Sequence, residues 1–260
     1  MTSLDFGFDP VEGEFWRVVF LMTRIGAAMA AAPIFGAMGV PVQVRLIVTG
    51  AVAAFVAAWT DVVPPPDVFS LAGMLAVSGE VLVGLALGFA LQVAFAGPVL
   101  AAELIGGSMG LSMAMTTDPN GGGQSTAFGQ YFTIVLTLIF LGMGGHLQWL
   151  ALVIDSFRVL PPGHSWLGGD AGLKIAAFGS QMFAFGLLIA LPITVVLLLV
   201  QVLTGILSRS APSLNLFALG LPAGVLAGLG ALIIAAPLLF AQLGNIAAQG
   251  LENAASVLAP

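Results

Sequence analysis

Apolar residues run along this chain in long blocks, separated by short clusters of acid, proline and glycine. Runs far longer than a strand predict helices, which satisfy their own backbone within each segment. The first block covers Phe15 to about Ala32 and is closed by Pro33; the second covers Val42 to Thr60 and ends at "DVVPPPD", residues 61–67. A third, Val68 to Gly97, carries Glu80, and a shorter fourth after Pro98 carries Glu103. The fifth runs from Ser125 to about Phe157 and is broken by "GMGGH", residues 142–146. After "RVLPPGHSWLGGD" come a sixth, Leu173 to Leu207, and a seventh, Leu214 to Leu243, followed by a mild tail.

The block lengths do not suit a plain bundle of spanning helices. Crossing a bilayer takes about 30 Å, or roughly 20 residues at 1.5 Å each. The uncharged stretch between Arg45 and Asp61 is too short for that. The stretch between Lys174 and Arg209 would make a helix of roughly 50 Å, with Pro192 near its middle as a potential kink. Both mismatches in one chain predict helices, some of them kinked, packed mainly against other protein. The expected class is therefore all-α, a multi-helix membrane-associated protein.

Composition places these helices in or against a membrane. The chain is 59% hydrophobic and 7% charged, with a mean hydropathy of +1.11, whereas soluble domains carry roughly 25% charge. A net charge of −6 with six basic residues argues against nucleic acid. With no cysteine, disulfides, zinc–thiolate sites and iron–sulfur clusters are excluded. Residues 1–14 form an acidic leader (Asp5, Asp9, Glu12, Glu14) unlike the basic start of a cleavable signal. Orientation stays open, since Arg45 and Arg209 favour one side for their loops while Arg158 and Lys174 oppose it.

Three ionisable residues interrupt apolar blocks: Arg24, Glu80 and Glu103. Each would cost about 2.5–3.5 kcal/mol at a lipid-facing helix centre, so each is expected to face a partner or a water-filled path. Glu80, Gly84, Gly88 and Gln92 share one helical face, and Glu103, Gly106, Gly107 and Gly110 another. Gly220, Gly224 and Gly228 repeat the small-residue spacing. Such stripes mark protein contact, within the chain or between subunits. Glu80 and Glu103 suit either a proton relay or structural pairing with Arg17 or Arg24. Pairing is favoured, because a relay normally needs more titratable neighbours.

Catalytic chemistry finds little footing. His146 and His164 are the two histidines, and a metal site would need both plus carboxylates. Ser156, Asp155 and His164 supply triad residue types, but no nucleophile elbow surrounds Ser156. Asp155 and Arg158 more simply form an i, i+3 ion pair. No P-loop, dinucleotide fingerprint or HExxH motif occurs. No catalytic, cofactor-binding or metal site is expected, and no enzyme activity.

One stretch stands apart. "GGSMGLSMAMTTDPNGGGQ", residues 106–124, joins Gly106, Gly107, Gly110, Gly121, Gly122 and Gly123 to Met109, Met113 and Met115, with Asp118 and Pro119 as a helix stop. It reads either as a connecting loop or as a constriction, since thioether side chains repack around irregular shapes and apolar constrictions block water and ions.

Four stretches in order, "AAPIFGAMGVPVQVR" (31–45), "AELIGGSMGLSMAMTTDPNGGG" (102–123), "GHLQWLALVIDSFRVLP" (145–161) and "LSRSAPSLNLFALGLP" (207–222), resemble the FliR family of flagellar type III export-gate proteins and their virulence-injectisome counterparts. The resemblance covers roughly Phe15 to Pro237. It implies an inner-membrane, multi-pass subunit of the flagellar basal body that joins FliP and FliQ in a closed, helically arranged gate. FlhB would be wrapped against that gate, with FlhA close by and unfolded flagellar subunits as cargo. It further implies kinked helical hairpins arranged as a FliP-like part, residues 15–168, followed by a FliQ-like part, residues 169–260, much of it raised out of the bilayer. The loop at 106–124 would plug the channel, with Met109, Met113 and Met115 in or beside the closed pore. Where the family commonly has an aromatic-rich run before Asp-Pro, this chain has Met113 to Thr117, a softer plug. Two alternatives stand beside this reading: an injectisome homologue, and a secondary transporter with broken helices. The transporter is disfavoured because no internal repeat relates the two halves.

Overall fold

The computed structural model describes residues 9–37, 39–60, 62, 70–111, 127–163, 169–210 and 216–258; for 9–12, 169–171 and 216–219 it describes the backbone alone. Among these residues the regular structure is helical throughout. The helices are α1 (Asp9–Ala31), α2 (Val42–Ala57), α3 (Leu71–Ser108), α4 (Ala127–Gly142), α5 (Gly145–Val159), α6 (Gly169–Ser210) and α7 (Leu216–Val257). Three stretches, Leu71–Ser108, Gly172–Ser210 and Gly220–Val257, are long and apolar enough to cross a membrane. The bent pair α4–α5 could supply a fourth span.

Several expected boundaries move. The third and fourth blocks form one continuous helix, α3, with Pro98 inside it. A proline removes one intrahelical hydrogen bond, but Phe95, Ala101, Ala102 and Ile105 on both sides of it are buried, so packing holds the helix across the gap. α6 is likewise continuous through Pro192, about 63 Å long at 1.5 Å per residue. The tail expected after Leu243 is helical to Val257, because Ile246, Ala247, Ala254 and Val257 are buried. The break expected in the fifth block at residues 142–146 is in place: α4 ends at Gly142 and α5 starts at Gly145, and Gly144 between them takes a left-handed φ of 70° that favours glycine.

The chain forms two compact units: Met1–Gln92 with Gly144–Phe178 and Gly250–Pro260, and Val93–Met143 with Gly179–Gln249. Each unit draws on both of the sequential parts 15–168 and 169–260.

In the first unit, Leu21, Arg24, Ile25 and Ala28 form the buried stripe of α1, at the three- and four-residue steps of a helix packed on one side. Gly84 and Gly88 of α3 are positioned against it. A Cβ at Gly84 would run into the Arg24 carbonyl oxygen and lie 2.9 Å from Ala27 Cβ; one at Gly88 would lie 2.6 Å from Ala28 O. These glycines therefore serve the close approach of α1 and α3 inside the chain. Thr49 of α2 donates to Met29 Sδ at 3.3 Å, and Trp149 of α5 stacks on Phe35, ring centroids 5.3 Å apart.

In the second unit, α3 and α6 meet closely: a Cβ at Gly97 would lie 2.6 Å from Phe185 Cβ, and one at Gly186 would lie 2.9 Å from Leu100 Cδ2. Phe95 meets Phe140 of α4 edge-on at 5.6 Å. Phe132, Leu136, Ile189, Leu197 and Leu243 are buried, whereas Leu187, Leu191, Leu198 and Val202 leave the other side of α6 apolar and exposed.

Candidate functional site

Two arrangements stand out, one in each unit. In the first unit, Arg24 is 1% exposed and Glu80 2%. Charges this deep are tolerated only when paired and hydrogen-bonded. Arg24 Nε donates to Glu80 Oε2 at 2.8 Å and Nη2 to Glu80 Oε1 at 3.1 Å, a bidentate fork. Nη1 donates to the Ser156 carbonyl at 2.9 Å and to its hydroxyl at 3.1 Å, and Nη2 also to the Leu160 carbonyl at 2.9 Å. A guanidinium has five N–H donors, and these five bonds use them all. Glu80 Oε1 additionally accepts the Gly163 N–H at 3.1 Å, where Gly163 has φ +86°. Phe157 lies under the guanidinium, 4.4 Å from its carbon to the ring centroid.

Local sequence explains the gathering. Trp149, Val153, Ser156 and Phe157 lie on one buried face of α5, and Arg158, next in the chain, points outward to Asp155 at 3.4 Å and over the Trp59 ring. Ser156 donates its hydroxyl proton to the Val153 carbonyl at 2.6 Å, so this serine is a structural acceptor for Arg24. Arg17, the other cation considered for pairing, bonds Glu14 at 3.1 Å and the carbonyls of Ala57 and Thr60. Glu103 is half-buried in the second unit and is not among the partners of Arg24. His146 is half-buried in the first turn of α5; His164 lies outside the described residues.

In the second unit lies the start of the glycine–methionine stretch. Expected as loop from residue 106, it begins as helix: Gly106 and Gly107 belong to the last turn of α3, which ends at Ser108. The change of direction comes at Met109 to Leu111, with Gly110 at φ +85°. Met109, placed by resemblance in or beside a pore, is 1% exposed and packed on α7 of its own chain. Its side chain fills a notch left by glycine: a Cβ at Gly228 would lie 2.7 Å from Met109 Cγ, Sδ and Cε, and one at Gly224 3.3 Å from its carbonyl oxygen. Gly220 has nothing within 4 Å of such a Cβ. Gln201 of α6 donates its side-chain amide to the Ser108 carbonyl at 2.7 Å, satisfying one of the acceptors that a helix end leaves open. Met113, Met115, Asp118, Pro119, Gly121, Gly122 and Gly123 lie outside the described residues.

Sequence reasoning missed Ser156, Phe157 and Gly163 in the ionic centre and Gln201 at the helix end. Ser156 and Phe157 carried a signal, the helical spacing of the buried α5 face. Gln201 carried another, a single amide in an otherwise aliphatic run. Gly163 carried none, since its role is a backbone N–H.

The family described as bacterial export proteins, family 1, matches residues 15–250. The chain is 34% identical over 225 residues to the flagellar biosynthetic protein FliR of Pectobacterium carotovorum subsp. carotovorum, spanning 86% of this chain and 84% of that one. It is also 34% identical over 245 residues to FliR of Escherichia coli strain K12, spanning 90% of each. To FliR of Bacillus subtilis strain 168 it is 28% identical over 244 residues. The chain belongs to this export-protein family and, within it, to the FliR type.

Proposed function

We propose that this protein is a core inner-membrane subunit of the flagellar protein-export gate, forming part of the conduit for unfolded flagellar subunits and keeping it shut at rest. It would act with FliP and FliQ, against FlhB and near FlhA, without bond chemistry of its own. Residues 15–168 would form its FliP-like part and 169–260 its FliQ-like part. The flagellar role is favoured over an injectisome role by the names of the relatives above, which are flagellar biosynthetic proteins.

The observation that carries the plug assignment is how the glycine–methionine stretch is launched. A continuous helix of 38 residues ends at Ser108, its last carbonyl is capped by Gln201, and Met109 is seated in α7. An idle connector has no need of so fixed a start. The stretch beyond Gly110, with Met113 and Met115, then supplies the yielding apolar material of a stopper.

Deleting Gly110 to Gly121 tests this. Cells carrying the assembled gate should become permeable to ions and small molecules. Unchanged permeability, with the gate shown to be assembled, removes the plug assignment. Purification tests the wider reading, since a gate subunit should require FliP and FliQ, whereas a transporter would be stable alone.

A further inference from the structure

The start of the proposed plug is built differently from the rest of its helix. Ser108 donates its own hydroxyl to the Leu104 carbonyl at 2.8 Å, leaving its main-chain oxygen to the Gln201 amide. Met109 N–H still bonds the Ile105 carbonyl at 2.9 Å, and Leu111 N–H reaches back to Gly106 O at 3.0 Å. The backbone is thus closed off through Leu111, with the left-handed Gly110 inside the closure. Gly110 faces Leu221 of α7, which a Cβ there would meet at 3.7 Å. Of these fastenings, those that leave α3 go to α6 and α7 of the same chain.

From this we infer that Met109, seated in the Gly224–Gly228 notch, and Gln201, holding the Ser108 carbonyl, are positioning residues that set the resting place of the plug. The inference rests on the plug reading and adds a root to it. The notch depends on glycine at 228, because any side chain there would occupy the space of the methionine thioether. Gln201 works by donation, its side-chain N–H meeting the Ser108 carbonyl at 2.7 Å. The root acts through the segment it launches and lines no part of the conduit itself.

The chain has no cysteine of its own, so a Met109→Cys, Gly228→Cys pair reports cleanly on the root. A Cβ at 228 would lie 2.7 Å from Met109 Cγ, close enough for the two thiols to be joined by a mild oxidant such as diamide. The test compares resting ion permeability of cells carrying the assembled gate, with the amount of chain co-purifying with FliP and FliQ as the measure of assembly.

Met109→Ala and Gly228→Ala should each raise the resting leak about tenfold, the factor given by loss of a contact worth about 1.4 kcal/mol. The combined Met109→Ala, Gly228→Ala variant should leak less than either, because the new Cβ refills part of the vacated space. Gln201→Met, of similar length but without an N–H, should raise the leak about fivefold, the factor for one ordinary hydrogen bond. The cysteine pair should leak when reduced and reseal when oxidised, and this arm stands even if a single variant assembles poorly.

If deletion of Gly110 to Gly121 opens the gate while Met109→Ala and Gly228→Ala assemble and stay tight, the root has no positioning role. A cysteine pair that does not crosslink, or that leaks alike in both redox states, overturns it as well. If the deletion itself does not leak, it is the plug reading that falls.

Discussion

The ionic centre of the first unit and the methionine seat of the second both tie three helical segments together, by opposite physical means. Around Arg24, two formal charges and a full set of donors are locked in a buried site, with Glu80, Ser156, Leu160 and Gly163 each in a fixed place. Around Met109 the side chain is held by contact, a flexible thioether lying in a groove made by missing side chains, and one neutral hydrogen bond from Gln201 to the Ser108 carbonyl ties in α6. Removing one member of the first set strands a charge. Removing a member of the second leaves a small void. A site of the first kind suits a frame that must never yield, and one of the second kind suits a seat beside a moving part.

The sharpest way to break this contrast is Glu80→Leu. Leaving Arg24 buried and unpaired should cost about 3–5 kcal/mol, seen as a large fall in thermal stability of the full chain purified with its partner subunits. Adding Arg24→Met should return most of that loss, because a well-packed apolar pair can replace a buried ionic one. A Glu80→Leu protein as stable as the parent would show that the pair carries no structural weight.

Met109→Leu comes next and should cost less than about 1.5 kcal/mol, as a volume-conserving exchange in a packed site. A loss as large as that of Glu80→Leu would erase the distinction between rigid frame and soft seat. Asp155→Asn should be smallest, at most about 0.5 kcal/mol, since Asp155 and Arg158 are both exposed and such pairs are screened by water. A larger effect in the same melting measurement would mean that charge at the exposed edge matters as much as charge in the core.

The helices were legible because their lengths and apolar content leave few alternatives, and Arg24, Glu80 and Glu103 were visible as interruptions of apolar blocks. What the sequence could not supply was distance. Whether Glu80 meets Arg24 or Arg17 depends on how closely α1 and α3 approach, and that is set by Gly84 and Gly88 against Arg24 and Ala28. The glycine stripes were legible as contact surfaces, but spacing alone did not say that Gly228 receives a methionine while Gly220 receives nothing within 4 Å. Pro98 read as a boundary by local rule, yet burial on both sides of it outweighs one missing hydrogen bond. The opposite error occurred at residues 106–108, where glycine suggested loop and the helix continued for one more turn.

Among the described residues Glu80 is the one acid buried alongside Arg24, and two guanidinium N–H groups and the Gly163 amide hold its oxygens. Because the same guanidinium also reaches the Ser156 and Leu160 carbonyls, α1 cannot slide past its neighbours in the first unit without breaking several charge-assisted bonds at once. Those stretches of α1, α3 and α5 therefore travel as one block, joined by a keystone that resists shear.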